Sequence, residues 1–113
     1  MAIDLSVVGE HRVDAWRGTF VVGRVDTGGI ASNLARSLVL RARAEGDRFQ
    51  AGIGRPPRSV KLQFQAAGIP AWDRSGPVVV GAGSIVYVPG LGLDARAVAV
   101  AGSPRLSIAW RAD

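Results

Sequence analysis

Hydrophobic and polar positions change period several times along this chain, and each change marks an element. In the first ten residues only Ile3, Leu5 and Val7 alternate, a faint strand signal. Trp16 to Val25 is predicted as a strand, because Phe20, Val21 and Val22 favour the extended state and Gly18 and Gly23 punctuate it. Asp26-Thr27-Gly28-Gly29 is a turn, and Ala31 to Ser37 leaves room for a short helical turn. From Leu38 to Ala44 the period is two: Leu38, Leu40, Ala42 and Ala44 share one face, and Val39, Arg41 and Arg43 share the other. This pattern predicts a strand with two guanidinium groups side by side on an exposed sheet face. Glu45-Gly46-Asp47 then turns the chain, with Asp47 expected to orient Arg48.

Two glycines and a proline pair make Gly52 to Pro57 a loop. Beyond it the period lengthens. Val60, Phe64 and Ala67 fall at i, i+4 and i+7, an apolar stripe that predicts a helix from a Ser59 cap to about Ala67. Gly68 suits the left-handed residue after a helix, and Pro70 prevents continuation. Arg58 and Lys61 are expected to project together beside the free N–H groups of the first turn, a favourable place for a phosphate. The remainder is predicted as β: Pro77–Val80 and Ser84–Val88 around Gly81-Ala82-Gly83, a turn at Pro89 to Gly92, and strands at Ala95–Ala101 and Leu106–Trp110. The fold class expected is α+β, mainly β, as a single domain over residues 1–113 with one packed α-helix.

Composition narrows the chemistry. With 48% hydrophobic and 20% charged residues, the chain can bury a core instead of remaining disordered. It has no cysteine, so a disulfide framework, a thiolate nucleophile and a cysteine-ligated zinc are excluded. A single histidine, His11, cannot build a multi-histidine metal site and reads as a surface or capping residue. Gly90-Leu91-Gly92-Leu93-Asp94-Ala95 fits a variant dinucleotide fingerprint, but the chain continues as strand where that motif requires a helix, so it is a turn. No phosphate-binding lysine loop, matched serine–histidine pair or helical carboxylate pair is present. No catalytic residue, metal or cofactor is therefore expected within the chain. No charged-then-apolar leader is visible, and apolar runs such as Val78-Val79-Val80 are too short to span a bilayer, so a cytoplasmic protein without a membrane partner is expected.

Charge changes the picture further. Residues 36–74 hold eight bases and three acids and so carry the whole formal charge of +5, and thirteen of the fourteen bases in the chain are arginine. Arginine forks onto phosphate and stacks on bases, so a concentrated arginine field favours a polyanion. The candidate nucleic-acid-binding residues are Arg41, Arg43, Arg48, Arg55, Arg58, Lys61 and Arg74. The rival reading is a solvated basic surface that keeps the domain soluble.

In order along the chain come Arg41-x-Arg43, Gly46-Asp47-Arg48-Phe49, Arg55-Pro56-Pro57-Arg58-Ser59-Val60-Lys61 and Gly68-Ile69-Pro70-Ala71-Trp72-Asp73-Arg74. Pro77-Val78-Val79, Val86-x-Val88-Pro89-Gly90 and Asp94 follow. This series resembles the C-terminal domain of the tRNA(Ile)-lysidine synthetases. The resemblance implies a small β-sandwich-like fold shared with a domain of the phenylalanyl-tRNA synthetase β subunit. It also implies a tRNA-binding role within an ATP-dependent ligase that attaches lysine to the wobble cytidine of an isoleucine tRNA. The partners implied are tRNA(Ile), contacted toward its acceptor end, and the N-terminal catalytic domain of the same enzyme. ATP, Mg and lysine would be used by that catalytic domain, whose S-G-G-x-D-S phosphate loop has no counterpart here. Trp72 is expected as a core plug, with base stacking as the alternative. A rival function is a structural packing or homodimerisation domain, motivated by the apolar stretch from Val78 to Val100.

Overall fold

Eleven short strands and one α-helix follow one another along the chain in a computed structural model that describes residues 1–71 and 74–113. Trp72, expected as a core plug, lies outside the described residues. The strands are β1 (Ala2–Ile3), β2 (Gly9–Val13), β3 (Gly18–Arg24), β4 (Ile30–Ala31), β5 (Leu38–Arg41), β6 (Arg48–Phe49) and β7 (Arg58–Ser59). After the helix α1 (Val60–Ala66) come β8 (Val78–Gly81), β9 (Ser84–Val88), β10 (Gly92–Leu93) and β11 (Arg105–Ala112). Two antiparallel sheets result, one of five strands in the order β1-β5-β8-β9-β10 and one of four in the order β2-β3-β11-β4. A separate ribbon pairs β6 with β7.

The five-stranded sheet is covered on both faces. Against the four-stranded sheet it buries Leu38, Leu40, Val79, Val86 and Tyr87, which meet Val13, Phe20, Val22 and Leu106. On its other face Val78, Ile85 and Val88 pack beneath Phe49 of the ribbon and Val60 and Phe64 of the helix. The domain is therefore a sandwich of two sheets with a helix-and-ribbon layer outside it, in agreement with the α+β, mainly β expectation. A bulge makes the double coverage work. Val80 pairs with Ile85 but Val79 pairs with Tyr87, so Val86 is the extra residue. Val86 and Tyr87 consequently both face the inter-sheet core, while Ile85 and Val88 face the helix.

The hairpin between β8 and β9 turns through Ala82 (φ 51°) and Gly83 (φ 80°), the two positive φ values that a two-residue hairpin loop matching the strand twist requires. Trp110 on β11 is accommodated by two glycines: a Cβ at Gly18 would lie 2.2 Å from its ring, and one at Gly76 would lie 2.7 Å from its indole nitrogen. The ring packs on Phe20 at 4.9 Å between centroids, and the Trp110 backbone N–H donates to the Tyr87 hydroxyl at 3.0 Å.

Two expectations change. Val7 is exposed, because β1 ends at Ile3 and the alternation through Leu5 does not continue a strand. The strand expected at Ala95–Ala101 is absent; a 3-10 turn occupies Ala95–Ala97, because the buried Asp94 carboxylate accepts from the Arg96 N–H at 2.8 Å and winds the chain. Of the apolar stretch from Val78 to Val100, Val78, Val79, Ile85, Val86 and Val88 are buried in one core or the other, whereas Val100 is exposed.

Candidate nucleic-acid interface

The basic centre of the chain is built around the end of β5. Leu38 and Leu40 are buried and Val39 is exposed, as the alternation requires, but the strand stops at Arg41. Arg41 and Arg43 are thus not neighbours on a sheet face. Arg41 forks onto Asp47, with Nη1 donating to Oδ2 at 3.0 Å and Nη2 to Oδ1 at 2.9 Å. Asp47 Oδ2 also accepts from the Ala44 N–H at 2.8 Å and so closes the turn. Asp47 orients Arg41, not Arg48 as expected; the Arg48 guanidinium reaches the Pro57 carbonyl at 3.5 Å. Partial burial pushes the Asp47 carboxyl up, but hydrogen bonds from Arg41 and the Ala44 N–H outweigh it and hold the group below its ordinary 3.8. Arg41 is therefore a structural cation, with most of its fork already engaged.

The helix starts at the same turn. The Val60 N–H donates to the Asp47 carbonyl at 3.0 Å, and the Leu62 N–H donates to the capping Ser59 hydroxyl at 3.4 Å. Two of the first-turn donors are therefore used internally. Val60 and Phe64 are buried, but Ala67 is exposed, because the helix ends at Ala66 and Gly68 (φ 68°) turns the chain away. Gln63 ties the helix to the ribbon, its side-chain amide donating to the carbonyls of Phe49 at 2.7 Å and Arg58 at 3.0 Å.

Around this helix the remaining cations gather in two groups. On one flank the guanidinium carbons of Arg43 and Arg74 lie 5.1 and 5.4 Å from the centroid of the buried Phe64 ring, close enough for cation–π attraction. Arg74 is further fixed by its Nε donating to the Ile69 carbonyl at 2.8 Å. Arg43 and Arg74 line a shallow cleft with Arg17, and Arg43 and Lys61 line the adjoining hollow above the 44–47 turn. On the other flank Arg55 and Arg58 edge a hollow of about 470 Å³ floored by Phe49, Ala66, Ala67 and Leu91. Arg58 and Lys61, expected to project together, fall on opposite flanks, because Arg58 belongs to the ribbon and Lys61 to the helix.

Ion pairing neutralises some arginines of the domain but not these, and among the described residues Arg17, Arg24, Arg36 and Arg105 also lack a carboxylate partner. Arg12 pairs with Asp14 and Asp113, Arg96 with Asp94, and Arg111 with Glu10. Among the described residues, Arg43, Arg48, Arg55, Arg58, Lys61 and Arg74 have no carboxylate partner. Their charge is without a carboxylate counterpart among the described residues, and all but the half-buried Arg74 are exposed. Arg17 joins them from far upstream, outside the charge-rich stretch, and nothing in the local sequence marks it. Elsewhere, the ring of His11 meets the Val7 carbonyl at 2.7 Å in a surface role. Among the described residues no group of three or more His, Cys, Asp or Glu side chains could hold a metal, and no helix is long and apolar enough to cross a membrane.

The fold and this surface define a small sandwich domain with an arginine-rich layer that has no carboxylate partners among the described residues. Comparison with known proteins places it. The family model described as the TilS substrate C-terminal domain matches residues 38–110. Over 109 residues the chain is 34% identical to the tRNA(Ile)-lysidine synthase of Burkholderia mallei, an alignment covering 90% of this chain and 22% of that protein. It is 37% identical over 94 residues to the tRNA(Ile)-lysidine synthase of Ralstonia nicotianae, covering 80% of this chain and 20% of that one. The chain belongs to the tRNA(Ile)-lysidine synthase family and corresponds to its C-terminal domain. It spans about a fifth of the length of these curated relatives.

Proposed function

We propose that this chain is a tRNA-binding and positioning domain, part of an ATP-dependent enzyme that attaches lysine to the wobble cytidine of tRNA(Ile). The observation that carries this reading is the clustering of Arg43, Arg48, Arg55, Arg58, Lys61 and Arg74 around α1 without carboxylate partners among the described residues. Elsewhere in the same fold Arg12, Arg96 and Arg111 are paired with carboxylates. An RNA duplex is recognised mainly through its phosphates, 2′-hydroxyls and shape, so a cationic layer held by a rigid helix positions the molecule without reading its sequence. Arg41 serves this layer indirectly, by fixing the turn from which Arg43 and Lys61 project. Chemistry, with ATP, Mg and lysine, is assigned to the catalytic domain of the same cytoplasmic enzyme, and the acceptor end of the tRNA is the region this domain would hold.

The test is a salt-series titration of tRNA binding by the wild-type chain and by the double variant Arg43→Glu/Lys61→Glu. These two residues are a better choice than the Arg41 and Arg43 pair, since reversing Arg41 would break the Asp47 turn. The expected results are a log–log slope shallower by roughly 0.7 to 0.9 for each phosphate no longer neutralised, and unchanged thermal stability. Wild-type affinity that ignores salt, or a double variant that binds as tightly as wild type at low salt, overturns the reading.

A further inference from the structure

The cleft at the junction of the four-stranded sheet and the helix layer is assembled from three distant parts of the chain. Arg17 comes from the connection between β2 and β3, Arg43 from the loop after β5, and Arg74 from the segment before β8. Two of the three guanidinium groups are held from below by the Phe64 ring, and none of the three is paired with a carboxylate among the described residues. Three like charges lining one hollow repel one another, and a bound anion turns that repulsion into attraction.

The backbone at Arg17 supports the same reading. Arg17 adopts φ 52° and ψ 55°, the left-handed conformation that an ordinary side chain enters only at a cost. Its N–H donates to the Asp14 carbonyl at 3.1 Å and its carbonyl accepts from the Asp113 N–H at 3.0 Å, so the conformation is fixed from both sides. A glycine would adopt it freely; here an arginine is held in it at the rim of a cationic cleft. Gly76 lines the hollow without a side chain, and the indole N–H of Trp110, buried and without an acceptor among the described residues, lies where a Cβ on Gly76 would come within 2.7 Å.

We infer that Arg17, Arg43 and Arg74 form a phosphodiester-binding subsite, in which Arg17 brings the sandwich half of the domain into contact with the same RNA that the helix layer grips. The subsite deepens the tRNA-binding reading and rests on it. It implies that the RNA backbone crosses from the helix layer onto the end of the four-stranded sheet instead of running along the helix alone.

The experiment titrates a tRNA(Ile) transcript with the wild-type chain and with Arg17→Gln, Arg43→Gln, Arg55→Gln and the doubles Arg17→Gln/Arg43→Gln and Arg17→Gln/Arg55→Gln. Each chain is checked for an unchanged thermal melt. A phosphate contact with a slope of roughly 0.7 to 0.9 contributes about five- to eightfold at 0.1 M salt, so Arg17→Gln should weaken binding by about that factor and make the slope shallower. The Arg17–Arg43 double should be less than multiplicative, because both side chains serve one phosphate group, whereas the Arg17–Arg55 double should be multiplicative. If Arg17→Gln binds as wild type while Arg43→Gln and Arg55→Gln are weakened, the subsite is wrong and the broader reading stands. If wild-type chain shows no salt-dependent binding, both fail. Multiplicative effects in both doubles would leave Arg17 in contact with RNA but overturn the shared subsite.

Discussion

Asp94 offers the sharpest test of how the helix layer is held on the sandwich. Its side chain is fully buried and accepts the Gln50 N–H at 3.0 Å, the Arg96 N–H at 2.8 Å, and two bonds from the Arg96 guanidinium at 3.0 and 2.8 Å. Gln50 follows β6 directly, and its carbonyl accepts the Ala95 N–H at 2.9 Å, so the contact runs both ways between the ribbon and the end of β10. In Asp94→Ala the Gln50 and Arg96 N–H groups both lose a charged acceptor, each at roughly 1.5 to 3 kcal/mol. The Arg96 side chain is 43% exposed and recovers water, so its loss adds little. The sum is about 3 to 6 kcal/mol, which at roughly 4 to 6 °C per kcal/mol lowers the melting temperature by about 12 to 36 °C. Calorimetry at pH 7 measures it. A fall of less than about 5 °C would refute the claim that a buried carboxylate staples the layers. The pH dependence gives a second check. Burial pushes Asp94 up, but the Arg96 side chain and the Gln50 and Arg96 N–H groups outweigh it and hold the group below 3.8. Its contribution is then complete above about pH 4 and is lost as pH falls through the lower folded value, so the wild-type advantage over Asp94→Ala should shrink only in acid.

Asp47→Asn weakens the fork with Arg41 and the cap on the Ala44 N–H, and should cost about 1 to 2 kcal/mol in denaturant unfolding while loosening Arg43 and Lys61 and so weakening tRNA binding indirectly. Like Asp94, Asp47 has its carboxyl held low, so its stabilisation is also lost only below about pH 4. Gly18→Ala would place a methyl 2.2 Å from the Trp110 ring and 2.8 Å from the Arg111 carbonyl, and is expected to cost about 2 to 3 kcal/mol with a changed tryptophan emission; an unchanged melt would show that β3 and β11 yield to the extra methyl.

Several features were legible in the residues because they depend on near neighbours. The Ser59 cap, the Val60 and Phe64 stripe and Gly68 are all set within one or two helical turns, and α1 lies within a residue of its expected bounds. The β8–β9 hairpin follows from two adjacent positive-φ positions between apolar runs. The charge of the central third is additive and needs no fold, and the ordered motifs from Arg41 to Asp94 sufficed to indicate the family before any geometry. What the residues could not settle is which arginines are free. Arg41 and Arg43 look equivalent in a two-residue period, yet Asp47 folds back on the first and the Phe64 ring lies under the second. Asp94 reads as a turn residue until Gln50, 44 positions away in sequence, donates to it. Arg17 carries no local signal and joins the basic cleft only because two sheets and a helix layer stack in one order. Local propensity and net charge are properties of short windows of sequence; ion pairing, burial and the convergence of distant side chains depend on distances through space, and only the packed chain determines those.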